Sequence, residues 1–186
     1  IIAVLSDRNY VLYRDGRKIS RTYQRIREFN DGVAIINMGG SWRIICDNIK
    51  YFKGGKYGLI NDTGKVILLC DMFSDMFFIG DGLYVAMFYN TKNEKRYHVI
   101  NKDGQLVSKI TLDYDEIKYC GIPRHFFVLK NNKYGLYNYL SEEIIKCEFD
   151  EICTFDYVDH KWVARVCLNN RYGYINEKGN MVKSFT

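Results

Sequence analysis

One phrase recurs along this chain, and its spacing restricts the fold more than any other feature. The segments starting at Tyr57, Tyr97, Tyr134 and Tyr172 each run from an aromatic residue through apolar residues to an asparagine (Asn61, Asn101, Asn138, Asn176). Two polar residues follow in most copies, and then Gly64, Gly104 or Gly179, with Ser141 in the third copy. The anchoring tyrosines lie 40, 37 and 38 positions apart. A fixed period of this length marks a chain of stacked supersecondary units, each burying its neighbour's apolar face.

Each part of the unit has a physical reading. The aromatic-led run has the alternation and composition of a strand. Asn, two polar residues and Gly form a type I turn closed by a residue at positive φ, where glycine carries no Cβ penalty. Apolar residues resume as a return strand at Val66-Ile67-Leu68-Leu69, Leu106-Val107, Ile144-Ile145 and Met181-Val182. Next comes an aromatic-acidic-apolar phrase, Tyr114-Asp115-Glu116-Ile117 and Phe149-Asp150-Glu151-Ile152, echoed at Tyr23-Gln24-Arg25-Ile26. A further β-rich run closes the unit, as in Gly32 to Ile36, Gly82 to Met87, Phe126 to Leu129 and Trp162 to Val166. Three or four short antiparallel strands per unit are expected. No stretch carries a sustained 3.6-residue apolar period with an N-cap, so no helix beyond a turn is expected.

A fifth, looser copy starts at Tyr10 and reaches Gly16 one residue early. The region 37–55 is irregular, and Trp42 to Asn48 reads there as a truncated further copy. The expectation is one all-β domain over 1–186, made of tandem antiparallel hairpins and meanders in about five units anchored at Tyr10, Tyr57, Tyr97, Tyr134 and Tyr172. The array is expected to be β-propeller-like, with an open β-solenoid-like array as the alternative. Ile1 to Leu5 matches the last strand of a unit, and the chain stops after a first hairpin at Lys183-Ser184-Phe185-Thr186. In a propeller these ends would share a blade; in a solenoid they would leave open edges, as in a piece of a longer chain.

Written out in this way, the unit resembles the bacterial WG β-repeat family. That family pairs an aromatic-Gly strand with a turn ending in Gly-Lys, then Val-Ile-Pro-Cys-Lys-Tyr-Asp and a Gly-Leu-Ala-x-Val strand. Ser141-Glu142-Glu143-Ile144-Ile145-Lys146-Cys147-Glu148-Phe149-Asp150 follows that register without gaps, and Gly64-Lys65-Val66-Ile67-Leu68-Leu69-Cys70 follows its first seven places. The copies here carry Tyr-Gly (Tyr57-Gly58, Tyr134-Gly135, Tyr172-Gly173) in place of Trp-Gly, and Lys146 and Leu69 at the family's proline position. The resemblance implies a repeat scaffold without a chemistry of its own. It also implies that Cys70 and Cys147, each 13 residues after its tyrosine, occupy a packing position.

Composition fits this picture. Sixteen Tyr, eleven Phe and one Pro, Pro123, favour strands, and no apolar run is long enough to span a bilayer as a helix. The six cysteines, Cys46, Cys70, Cys120, Cys147, Cys153 and Cys167, show no CxxC and sit in strand-like surroundings. They are expected to be free thiols in a reducing compartment such as the cytoplasm. The sequon Asn61-Asp62-Thr63 also fits a plain turn.

Candidate chemistry is sparse, and no cofactor, metal or catalytic residue is expected. His98 replaces the glycine of other units and reads as a surface residue at a tolerant position, while His125 and His160 lack metal-ligand spacing. Asp115-Glu116 and Asp150-Glu151 could serve as acid and base, with Asp156 and Asp159 nearby in sequence. Their recurrence at one phase of the repeat instead suggests that they accept hydrogen bonds from turn amides. Ser6, Ser20, Ser74 and Ser108 have no nucleophile-elbow context. Of the net charge of +5, most falls in an early cluster that includes Arg8 and the candidate anion-binding residues Arg14, Arg17, Lys18, Arg21, Arg25 and Arg27. Tyr84, Tyr89, Tyr119, Tyr137, Tyr139 and Tyr157 read as an aromatic contact surface or as core. The functional expectation is a non-enzymatic, protein-binding scaffold. The alternatives are a carbohydrate-binding or hydrolytic propeller and an anion or nucleic-acid binder.

Overall fold

The computed structural model describes residues 1–5, 8–44, 50–107, 112–140 and 142–183. Among them the chain is all-β, with no helix, and no sheet closes into a barrel. Five antiparallel sheets follow one another in sequence. The first contains β1 (Ile2–Val4), β2 (Tyr10–Arg14) and β3 (Arg17–Lys18). The second contains β4 (Arg25–Asn30), β5 (Val33–Ile44), β6 (Lys50–Asn61) and β7 (Val66–Phe73). The third contains β8 (Asp75–Gly80), β9 (Leu83–Tyr89) and β10 (Lys95–Asn101). The fourth contains β11 (Glu116–Tyr119), β12 (His125–Lys130), β13 (Lys133–Asn138) and β14 (Glu142–Phe149). The fifth contains β15 (Glu151–Ile152), β16 (Asp156–Val158), β17 (Lys161–Leu168), β18 (Arg171–Asn176) and β19 (Met181–Lys183).

The anchoring tyrosines lie on β2 (Tyr10), β6 (Tyr57), β10 (Tyr97), β13 (Tyr134) and β18 (Tyr172); all but Tyr57, which comes late in the long β6, stand at or near the start of their strand. The sheets are out of phase with the sequence repeat. A sheet starts at the aromatic-acidic phrase and ends with the return strand, so each sequence unit contributes strands to two successive sheets.

The turn chemistry is repeated with equal fidelity. Gly64, Gly104 and Gly179 sit at φ +85, +77 and +79, and each donates its amide to the carbonyl of the asparagine three residues earlier. The asparagine side chain closes the loop as well. Asn101 Oδ1 accepts from the amides of Asp103 and Gln105 at 3.0 and 2.9 Å, and Asn61 and Asn176 make the same pair of bonds. The Asn61 side-chain oxygen thus closes a turn, as the plain-turn reading of Asn61-Asp62-Thr63 expects. The connection before the tyrosine strand is a two-residue turn with both residues at positive φ in the last two sheets, Asn131-Asn132 and Asn169-Asn170. Asparagine tolerates that region because its short polar side chain bonds locally.

The Tyr-Gly pair has a steric cause. The return strand shifts register as it passes the glycine, between Tyr57 and Leu59 in one sheet and between Tyr134 and Leu136 in another. Its backbone therefore lies on the glycine itself. A Cβ on Gly58 would meet the Leu69 carbonyl carbon at 2.9 Å, and one on Gly135 the Lys146 carbonyl carbon at 3.0 Å.

Contacts divide the chain into two compact units, Ile1–Phe78 with Tyr84–Ile110, and Ile79–Leu83 with Thr111–Thr186. In the first, β5 feeds two cores in alternation. Ala34 and Ile36 pack with Leu12, Tyr23 and Ile60, while Val33 and Ile35 pack with Leu59, Phe73, Met76 and Tyr84. A strand buried on both faces reads as a continuous apolar run, as Val33-Ala34-Ile35-Ile36 does. The core of the second unit is built from Phe127, Leu136, Phe149, Phe155, Val166 and Ile175. Each such side chain contributes roughly 1.5–3 kcal/mol by leaving water.

Candidate interaction site

The irregular region is where the structure departs most from the repeat. In the fourth sheet Leu129 pairs with Tyr134 across a two-residue turn, and in the fifth Cys167 pairs with Tyr172 in the same way. In the second sheet the equivalent pair is Asn37 with Tyr57, and the hairpin continues outward instead of turning. Trp42 pairs with Phe52 and Ile44 with Lys50, so β5 and β6 form an arm beyond the sheet. The stretch expected as a truncated extra unit is, from Trp42 to Ile44, the outer end of β5. The remainder of that stretch, including Cys46, lies outside the described residues.

The arm is fixed at its root by an uncommon polar residue. Asn37 is fully buried; its Oδ1 accepts from the Gly40 amide at 3.1 Å and its Nδ2 donates to the Gly54 carbonyl at 3.1 Å. A buried amide bonded through both ends specifies one geometry, because any slip would leave it unsatisfied at low dielectric. The strands approach so closely there that a Cβ on Gly40 or Gly55 would stand 2.6 Å from Asn37 Oδ1.

Farther out, Trp42 and Phe52 meet edge to face, with centroids 5.4 Å apart. The Arg25 guanidinium lies 5.4 Å from both ring centroids. Trp42 is a shared wall of three adjoining clefts. The largest, about 470 Å³, is lined by Tyr10, Arg25, Ile26, Arg27, Ile35 and Phe78 among others. The smaller two, about 260 and 290 Å³, bring in Arg8, Asn9, Gln24 and Phe52. Arg27 is held in place: its guanidinium donates to the Met76 carbonyl at 2.7 Å, stands 3.8 Å from Asp75 and lies over the Tyr57 ring.

The six basic residues singled out in the sequence do not form one patch. Arg25 and Arg27 line the groove beside Trp42. Arg14 pairs with Asp62 at 3.4 Å, Arg17 and Lys18 form the exposed β3, and Arg21 lies over Tyr23. Trp42 and Phe52 were not singled out, although the sequence carries their signal. Gly39-Gly40 and Gly54-Gly55 are mirror images about position 47, and so are Trp42 and Phe52, as a long hairpin requires.

The acidic residues at the repeated phase act on turns. Asp115 and Asp150 accept from the amides of Asn131 and Asn169, each at 2.8 Å, and Gln24 accepts from Gly39 at 2.9 Å in the corresponding role. Lys133 donates to Asp150, and Glu116 pairs with Lys118 at 3.0 Å. Glu151, Asp156 and Asp159 are exposed on the fifth sheet. Of the serines, Ser20 accepts from the Leu12 amide and Ser74 from Lys56 Nζ, while Ser6 and Ser108 lie outside the described residues.

One expectation needs correction, and one reading left open is decided. His98 is half-buried, not a surface residue; it stacks on Phe88 with centroids 4.5 Å apart, and burial pushes its pKa down. The described return segment pairs with β10 through the Ile100 to Leu106 bridge and the Val107 amide, which donates to the Val99 carbonyl at 2.9 Å. Tyr84 is not part of a contact surface: it is fully buried, with its phenol pushed up to about 12 by desolvation. Tyr89, Tyr119 and Tyr157 are exposed, while Tyr137 stacks on Phe126 and Tyr139 is half-buried. His125 lies between the Pro123 carbonyl and Asn138, and His160 occupies a tight turn at φ 61.

The described cysteines are free. The thiols of Cys70 and Cys147 donate to the Ile36 and Val128 carbonyls at 3.8 and 3.7 Å, the same contact in two sheets. No group of three or more His, Cys, Asp or Glu side chains suited to a metal ion is found among the described residues. None of these residues forms a helix long and apolar enough to cross a membrane.

The sequence profile of the family described as "WG containing repeat" matches residues 18–42, 57–94 and 134–172. That is more than half of the chain, which therefore belongs to the WG repeat family. Residues 43–56 fall between two matched stretches. A search of curated proteins gives no match. Among solved structures, the chain is similar to one titled "Crystal structure of the eukaryotic initiation factor", at 11% identity and a TM-score of 0.43. The likeness covers 96% of this chain and 60% of that one.

Proposed function

We propose that this chain is a non-catalytic interaction module of a bacterial protein, and that it binds another protein through the β5–β6 arm and the groove at its base. The observation that carries the proposal is the place of Trp42: one ring forms a wall of three adjoining clefts on a segment inserted into an otherwise regular repeat. Insertions in repeat proteins gather on the binding face, because the repeats themselves are committed to packing on one another. Tryptophan and arginine are also the residues on which binding energy concentrates.

The test is affinity capture with the immobilised wild-type chain and a Trp42→Ala, Phe52→Ala variant, both checked for unchanged thermal unfolding. A defined protein partner retained by the wild type and lost by the variant supports the proposal. Capture of the same partner by both chains, or of none by either, refutes it.

A further inference from the structure

We propose that the segment recognised by the Trp42 groove is acidic and inserts an apolar side chain beside the tryptophan, an inference that rests on the protein-binding reading. Charge is the first argument. Arg8, Arg25 and Arg27 line the three clefts against Glu28, with Asp75 standing 3.8 Å from Arg27, which leaves the groove net positive. A concave surface of one sign selects a partner of the other and suppresses like-charged competitors.

Preorganisation is the second argument. Arg25 is held between two rings and has no carboxylate beside it among the ion pairs of the described residues, and Arg27 is held by the Met76 carbonyl, Asp75 and the Tyr57 face. A guanidinium already fixed in place loses little freedom when a carboxylate arrives, and its planar fork suits bidentate pairing. The groove also has an apolar wall. Tyr10, Trp42 and Phe78 border a cleft of about 470 Å³, within the usual range of ligand pockets. An acidic segment without an apolar residue would leave that wall wet.

A nucleic acid is the competing anion. Phosphate backbones are gripped by many exposed, flexible cations, commonly about 6–10 contacts at once. The groove offers three arginines, two of them tied to neighbouring groups, which suits a short acidic peptide.

The test is fluorescence anisotropy with a labelled synthetic peptide of Asp and Glu interrupted by Phe and Leu. Comparison probes replace the acids by Lys, or the Phe and Leu by Ser, and a labelled single-stranded oligonucleotide is the fourth. The acidic-apolar peptide should bind, with both comparison peptides and the oligonucleotide weaker by about tenfold or more. Trp42→Ala and Arg25→Gln should each weaken binding by about tenfold or more. Arg17→Gln removes the same charge outside the groove and should leave binding unchanged. Equal loss from Arg17→Gln, equal binding of the Ser peptide, or tighter binding of the oligonucleotide overturns the inference. No binding of the peptide while a protein partner is still captured in an arm-dependent way overturns the acidic specificity alone; loss of both removes the protein-binding reading with it.

Discussion

Replacing Gly58 with alanine adds one methyl group at the point where β7 crosses β6. Gly58 is not at positive φ, so the substitution carries no backbone strain and its cost is steric. The new Cβ would stand 2.9 Å from the Leu69 carbonyl carbon and 3.0 Å from Cys70 Sγ, and closer still to the Leu68 carbonyl oxygen. Two of these neighbours are backbone, so relief requires β7 to move, together with Leu68 and the Cys70 thiol bonded to Ile36. Overpacking of this kind costs about 1–3 kcal/mol, and the rigid contacts put Gly58→Ala near the top, about 3 kcal/mol. For a chain of this length each kcal/mol moves the melting midpoint by roughly 2–4 °C, so a fall of about 6–12 °C is expected. Calorimetry or thermal circular dichroism reads it directly. Gly135→Ala, facing the Ile145 carbonyl in the same way, should behave alike. His98→Ala, at the position that already accepts a side chain, should lose only the Phe88 stacking, about 1 kcal/mol. A fall of less than about 1 °C for Gly58→Ala would refute the crossing as the reason for the Tyr-Gly pair.

Other expectations follow from single contacts. Asn101→Ala removes two bonds to the Asp103 and Gln105 amides and should cost about 1 kcal/mol, read as a lower urea midpoint at unchanged slope. Asp150 has its carboxyl held below the ordinary range, first by Lys133 and then by the Asn169 amide. A depressed folded pKa contributes stability above the unfolded value and loses it as pH falls through the folded one. The wild type should therefore exceed Asp150→Ala in urea midpoint at neutral pH, with the gap closing below about pH 4. In native thiol labelling, exposed Cys153 should react first among the described cysteines, while Cys120, fully buried and pushed up to about 12, should react only on unfolding.

Much of the fold was legible because the repeat writes its own constraints. Tyr-Gly marks a crossing, Asn-x-x-Gly a closed turn, and Asp115 and Asp150 the capped amides of the next hairpin. These are local signals, each confined to a few residues and repeated until chance is excluded. The arm was not legible in the same way, since its pairing spans up to twenty residues and appears once. Its mirrored glycines and aromatics carry the register only when read about their centre. The burial of Tyr84 and His98 was not legible for a related reason: an aromatic residue on a strand does not announce which of two faces is solvent. Tyr84 points into a core shared by two sheets, and His98 turns onto the Phe88 ring.

The account stands on one spatial relation being repeated: the glycine after the anchoring tyrosine lies opposite the strand that precedes it. Gly58 pairs with Ile36, Gly135 with Val128 and Gly173 with Val166. Nuclear Overhauser effects across these three pairs in the intact chain measure that relation directly. Cross-strand effects at all three pairs are expected, the first despite its much longer separation in sequence. Effects at Gly135 and Gly173 with Gly58 paired elsewhere would remove the arm, and absence at all three would contradict the repeated sheet itself.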